Sequence, residues 1–218
     1  MNKEWSELNK AMQAQIKKRD AFKIGIDTLF SLRSQLMQTL VSFKEELCRE
    51  DFNALPFINA AGYHSKTIAY SIWHIFRIED IVAHTVIAED EQVFFTGNYQ
   101  ERINSPIITT GNELVKQQIA DFSKQLDLEE LYSYIFEVRE STEKILERLS
   151  YDELKRKIQD ERRGCLESLN VVSSDKEAIW LIDYWCSKDI CGLIQMPFSR
   201  HWIMHTEACL RIKNKLHS

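Results

Sequence analysis

Residues 128–149, LEELYSYIFEVRESTEKILERL, decide the fold. Apolar or small side chains recur there in steps of three and four residues, at Leu128, Leu131, Ile135, Val138, Thr142, Ile145 and Leu149. This spacing places them on one face of a helix and predicts packing against other helices at a shallow angle. Asp127 and Glu130 have the spacing of a capping box, which predicts where the helix begins.

Three further segments have helical patterns. Leucines and Phe43 repeat every three or four residues between residues 24 and 49. Residues 67–88, TIAYSIWHIFRIEDIVAHTVIA, are apolar on most sides, which predicts a helix buried on several faces. The last helix is predicted to begin at Pro197, and its apolar stripe is Phe198, Trp202, His205, Cys209, Ile212 and Leu216. Since no segment alternates as a strand does, we predict an all-α fold, a four-helix bundle.

The connections are predicted to be of two kinds. Residues 89–112 are irregular, and they exceed the usual helix–helix connection of about 2–8 residues, so they predict a long crossover. Ser150 with Glu153, and Ser174 with Glu177, resemble capping boxes and predict short accessory helices.

Composition restricts the classes of function. The 218 residues are 44% hydrophobic and 28% charged, as in a soluble globular domain. A net charge of −5 argues against a nucleic-acid partner, and no apolar run is long enough to predict a membrane span. The first twenty residues lack the apolar core of a signal peptide. The five cysteines have no CxxC spacing, which favours a reduced, cytoplasmic setting over a disulfide framework.

Two of the six histidines form a candidate metal-binding pair. His201 and His205, in RHWIMHTEACLRI, lie four residues apart and project from one helix face, where two imidazoles can share a cation. His74, between Trp73 and Ile75 in the buried second helix, is the best candidate for a third ligand. The alternative is that all three are core histidines whose ring nitrogens are satisfied by the protein.

Other metal chemistries do not fit the sequence. No Glu-x-x-His occurs, which sets aside a ferritin-like di-iron site, and Trp202 stands where the glutamate of His-Glu-x-x-His would be. Cys209 is too far along the helix from His201 for one tetrahedral ion and is predicted to pack in the core. The remaining histidines are expected at the surface: His64, His84 and His217.

The segments TIAYSIWHIFRIED and RHWIMHTEACLRI together resemble those of the DinB-like superfamily of bacterial proteins. The resemblance implies a four-helix bundle with a divalent metal held by His74, His201 and His205. Glu79 matches an acidic residue frequent in the family's second-helix motif. It lies roughly 140° around the helix from His74, so we do not expect it to be a ligand. Residues 1–218 then form one domain, with 1–22 as an N-terminal extension and 160–190 as an accessory segment.

The resemblance also implies an activity. The characterised members of the family that this chain resembles look like metal-dependent transferases or isomerases that act with low-molecular-weight thiols. Examples are the bacillithiol transferases and the mycothiol-dependent maleylpyruvate isomerases. Many members continue the second histidine of the pair with Arg-Gly-Gln, whereas Thr206, Glu207 and Ala208 follow His205 here. This departure leaves the implied ligand set intact and weakens the transfer of any particular substrate.

We therefore expect a metal-dependent S-transferase or hydrolase acting on a small molecule, with zinc or nickel as the ion, since three protein ligands leave a position open. The alternatives are a stress-related bundle with a structural metal and a dimerising scaffold without one. Tyr70, Arg200 and Glu207 are nearby polar candidates for substrate binding, although Arg200 also fits a solvated helix-terminal charge. Trp5, Leu8, Met12 and Ile16 have near-helical spacing, which predicts a helix that covers the bundle or pairs two chains in a homodimer.

Overall fold

The computed structural model describes residues 2–218, and this part of the chain contains helices, turns and loops but no β-strand. The helices are α1 Lys3–Gln15, α2 Phe22–Glu46, α3 Arg49–Asn53, α4 Ile68–Asp80, α5 Val93–Thr96, α6 Tyr99–Arg102, α7 Gln117–Gln125, α8 Leu128–Arg148, α9 Asp160–Leu169, α10 Trp180–Cys186, α11 Ile190–Gln195 and α12 His201–Leu216. The prediction of an all-α fold is confirmed.

Four long helices form the bundle. α2 packs against α8, α8 against α4, α4 against α12, and α12 against α2, which closes the ring. α4 continues as a π-helix over Ile81–Ala88, so the predicted helix of residues 67–88 is one continuous rod. None of the helices in residues 2–218 is both long enough and apolar enough to cross a bilayer.

Helix α8 begins and packs as its sequence predicts. The Asp127 carboxylate accepts a hydrogen bond from the Glu130 backbone N–H at 3.0 Å, which satisfies one of the free donors at the helix start. Leu131, Ile135 and Val138 are fully buried along its apolar face. The three- and four-residue spacing therefore predicts the packed face of this helix correctly.

Helix α4 is enclosed on all sides. All thirteen residues of Ile68–Asp80 are buried. Its last residue, Asp80, accepts hydrogen bonds from the backbone N–H groups of Val93 and Phe94, both at 2.9 Å, and from the Tyr134 hydroxyl at 2.8 Å. The buried carboxylate thus ties the crossover of residues 89–112, which contains α5 and α6, to the bundle.

The N-terminal segment packs on its own chain. α1 lies along α2, with Trp5, Met12 and Ile16 buried. The two segments meet closely at Gly25, where an added Cβ would lie 2.6 Å from Ile16 Cγ2. α1 therefore covers the bundle, and its apolar residues contribute to the core of this chain.

Two predicted helix starts differ from the structure. Asp175, not Ser174, builds the turn, because its carboxylate accepts the Glu177 N–H and its carbonyl accepts that of Ala178. The helix consequently begins only at Trp180. At Ser150, the Glu153 carboxylate does accept the backbone N–H at 2.8 Å, but only a 3₁₀ turn over Asp152–Lys155 follows.

The last long helix begins before Pro197, contrary to the prediction. α11 leads into a π-helical stretch, Met196–Arg200, which continues as α12. The Met196 backbone departs from helical values, with φ −117° and ψ −73°. A proline disfavours helical geometry in the residue before it, so Pro197 marks a break within the helical run rather than its start.

Candidate metal centre

The three predicted histidines meet inside the bundle. His74 projects from α4, and His201 and His205 project from α12, which packs against it. The ring centroids are 5.0 Å apart for His74 and His201, 4.8 Å for His74 and His205, and 4.6 Å for His201 and His205. One possible ligand nitrogen from each ring lies within 4.8 Å of the others. The cluster could therefore hold a metal ion.

One ring is already oriented by the protein. His74 Nδ1 lies 2.8 Å from the carbonyl oxygen of Thr110, in the crossover. A carbonyl can only accept, so Nδ1 carries the proton and Nε2 of the neutral ring keeps its lone pair. Metal-binding histidines generally use this arrangement, in which one nitrogen donates to a carbonyl and the other is free to bind.

The other two rings lack partners. Neither the His201 nor the His205 imidazole ring makes a hydrogen bond within residues 2–218, and the Nδ1 atom of each ring is buried without a partner. A buried polar atom left unsatisfied costs about 1–3 kcal/mol. A divalent cation bound by the rings would offset this cost, so the residues present fit such an ion.

Burial keeps the imidazoles neutral. It lowers the pKa of His74 to about 4, although the hydrogen bond to Thr110 acts in the opposite direction. The pKa values of His201 and His205 are also well below their usual range, mainly through burial and further through the neighbouring rings. The neutral ring is the form that binds a metal, so no proton has to be displaced at neutral pH.

A cavity of about 740 Å³ adjoins the cluster, and all three histidines line it. Tyr70 also lines it, with its ring stacked on His74 at a centroid distance of 5.4 Å and its hydroxyl donating to the Gly111 carbonyl at 2.9 Å. Of the sequence-predicted polar candidates, Tyr70 therefore lies at the site.

The other two polar candidates lie outside the cavity wall. Arg200 is exposed, and Glu207 accepts a hydrogen bond from the Asn2 backbone N–H. Neither residue lines the cavity in the described part of the chain. Arg200 precedes the first residue of α12 and Glu207 lies in its second turn, and neither is on the helix face that carries His201 and His205.

The sequence did not indicate two parts of the cavity wall. One is the accessory segment, which contributes Trp180, Tyr184 and Trp185 from one face of α10. The other is Lys66, just before α4. The four-residue spacing of Trp180 and Tyr184 is a signal for a helix face, but nothing local shows what that face adjoins.

Glu79 holds the two histidine-bearing helices together. Its carboxylate accepts hydrogen bonds from Arg33 Nη1 and Nη2 at 2.9 and 2.7 Å and from Trp202 Nε1 at 2.7 Å. Glu79 and Arg33 are fully buried, and the guanidinium lies 4.4 Å from the Trp202 ring centroid. Both carboxylate oxygens are thus engaged away from the histidines, in keeping with the expectation that Glu79 is no ligand.

One expectation about the remaining histidines is wrong. His84 is buried, because the crossover brings Asp90 within 2.6 Å of its Nδ1 and Ser141 of α8 contacts its Nε2 at 3.0 Å. His217 is exposed as expected, and His64 is partly buried. The sequence position of His84 near a helix end gave no sign of this covering loop.

No protein-family model matches the chain, and the comparison with curated proteins likewise found no match. The resemblance to the DinB-like superfamily therefore depends on the two histidine-bearing segments themselves.

Proposed function

We propose that this protein is a divalent-metal-dependent enzyme of the DinB-like type, in which His74, His201 and His205 hold the ion. A thiol or a water molecule would attack an electrophilic small molecule in the adjoining cavity. The observation that carries this proposal is the meeting of three buried, neutral imidazoles from two helices at the wall of that cavity.

The adjoining cavity favours a catalytic over a structural ion. Structural zinc sites are closed by four protein ligands, whereas catalytic sites keep a position open. A cation held by these three rings would lower the pKa of a bound water or thiol and so supply a nucleophile near neutral pH. The alternatives of a structural metal or a scaffold without metal give no role to a cavity that reaches the three histidines.

The protein's own residues would fix the geometry. Thr110 orients the His74 ring, and the Glu79 carboxylate joins Trp202 of α12 to Arg33 of α2. Because these contacts are buried, they limit the movement of α4 and α12 relative to each other. The positions of the ligand nitrogens would then change little during turnover.

Zinc or nickel is the proposed ion, because imidazole suits both. A low-molecular-weight thiol is the proposed co-substrate, on the family resemblance. All five cysteines are free thiols, which supports the proposed cytoplasmic setting. We also propose a homodimer, which the mass of the protein in solution would test.

The first experiment is the metal content of untagged protein. Wild type should carry about one equivalent of metal, with His74→Ala and His205→Ala losing it while the helical circular dichroism is retained. His217→Ala is the matched control, because His217 is exposed and lies outside the cluster. Wild type that stays metal-free after incubation with zinc or nickel, or variants that retain the ion, would contradict the proposal.

The second experiment tests the chemistry. Consumption of a small thiol with a chlorodinitrobenzene electrophile should be faster with metal-loaded protein than with metal-free protein, and the difference should vanish in His205→Ala. Equal rates with metal-loaded and metal-free protein would contradict the thiol-transfer proposal even if the ion binds.

A further inference from the structure

The charge on the cavity wall is positive. Among its lining residues other than the histidines, the charged side chains are Lys66, Lys116 and Glu177. Bound divalent metal would add further positive charge. The cavity therefore favours an anion over a cation.

Of the charged residues that line the cavity, Lys66 is the one nearest in sequence to a histidine of the cluster, eight residues before His74. It is partly buried, its Nζ lies 4.6 Å from the centroid of the Tyr70 ring, and no carboxylate within residues 2–218 pairs with it. Burial lowers its pKa to about 8, so the ammonium form still dominates at pH 7. A partly desolvated ammonium without a counter-ion is unfavourable, and an anionic group of a ligand would remove that penalty.

The position of Lys66 relates it to the candidate metal centre. Lys66, Tyr70 and His74 follow one another at intervals of four residues, and the Tyr70 ring contacts both the ammonium and the imidazole. A ligand with its anionic group at Lys66 would thus extend along Tyr70 towards the histidines.

The remainder of the cavity wall is apolar. The face of α10 supplies Trp180, Leu181, Tyr184 and Trp185. Trp180, Val115 and Ile58 are exposed large apolar side chains from three separate segments, at 48%, 51% and 36% exposure, and all three line the cavity. The cavity wall thus includes solvent-exposed apolar side chains from three segments, as at sites that take an apolar ligand.

We propose that the cavity binds a small organic monoanion with an aromatic or extended apolar body. The anionic group contacts Lys66, and the body packs against Trp180 and Tyr184 of the accessory segment. This ligand would be the substrate of the proposed enzyme, so the assignment of a substrate class rests on the proposed function. Binding of the ligand itself requires no metal. A volume of about 740 Å³ is ample for a ligand of two fused rings.

The test uses a matched pair of probes, 1-naphthaleneacetate and its neutral amide, titrated calorimetrically at pH 7 into metal-free and zinc-loaded protein. The acid should bind metal-free wild type about tenfold more tightly than the amide, the effect of one charge-assisted contact. Lys66→Met should abolish this preference and leave the affinity for the amide unchanged. Trp180→Ala should weaken both probes alike.

Lys10→Met is the matched control, because Lys10 is exposed on α1 and lies outside the cavity wall; it should change neither affinity. Equal affinities for acid and amide, a preference that survives Lys66→Met, or no binding of either probe would overturn the proposal. A Lys66-dependent preference in a protein that binds no metal would overturn the proposed function alone. Metal binding without that preference would overturn only the ligand proposal.

Discussion

Glutamine in place of Glu79 tests whether the buried charge network stabilises the bundle. The substitution keeps the shape of the side chain but removes the charge opposite Arg33, which has 0% side-chain exposure. Removing one member of a buried ion pair costs about 3–5 kcal/mol, because the other charge is left uncompensated. Here the Glu143 carboxylate, 22% exposed and 3.1 Å from Arg33 Nε, remains as a partial counter-charge. We therefore expect a loss near the lower limit, about 3 kcal/mol.

The measurement is urea unfolding followed by circular dichroism. In a thermal unfolding experiment, the same loss of about 3 kcal/mol would lower the melting temperature by roughly 6–12 °C in a protein of this length. Glu140→Gln is the matched control, because Glu140 pairs with Lys144 on the surface, where both side chains are more than half exposed. Its loss should stay below about 0.5 kcal/mol.

A double-mutant cycle distinguishes the pair from simple packing. Arg33→Met combined with Glu79→Gln removes both charges, so it should destabilise by less than the two single changes added together. Additive losses in the cycle, or a loss below about 1 kcal/mol for Glu79→Gln alone, would refute the reasoning.

Two further predictions concern backbone and thiol. Gly111 has φ +77°, and a Cβ there would lie 3.0 Å from Tyr70 Cε2, so Gly111→Ala should destabilise by about 1–2 kcal/mol in urea unfolding. Gly164 lies on a helix, and an added Cβ there would have no neighbouring atom within 4 Å, so Gly164→Ala should be neutral or stabilising by up to about 1 kcal/mol. Equal effects of the two substitutions would contradict the argument. Burial raises the pKa of the Cys209 thiol to about 12. At pH 8 a disulfide reagent should therefore label exposed Cys48 and leave Cys209 unmodified in the folded protein, which mass spectrometry of the labelled peptides would show. Labelling of both at similar rates would contradict that prediction.

The long helices were predictable because their signal is local. The spacing of Leu131, Ile135 and Val138 requires no knowledge of the partner helix, and the prediction of the packed face follows from it. The histidine pair was accessible for the same reason, since residues four apart share a face in any helix. His74 required one more step, the inference that the helix of residues 67–88 is buried on several faces.

The remaining features depend on contacts between distant parts of the chain. The π-helical stretches Ile81–Ala88 and Met196–Arg200 are not marked by any spacing in the sequence. The cavity wall joins α10 to Lys66, which is more than a hundred residues away along the chain. The covering of His84 by Asp90 likewise depends on the path of the crossover.

The complete enclosure of α4 affects how variation in this protein would be interpreted. With all thirteen residues of Ile68–Asp80 buried, packing alone would restrict every position, apolar or polar, in a population of natural variants. Invariance of His74 would then carry little information about metal binding. α12 has exposed positions such as Arg211, which are free to vary. His201 is itself buried, so its constancy alone would carry the same ambiguity, and joint constancy of His74, His201 and His205 would be the more informative sign of a ligand set.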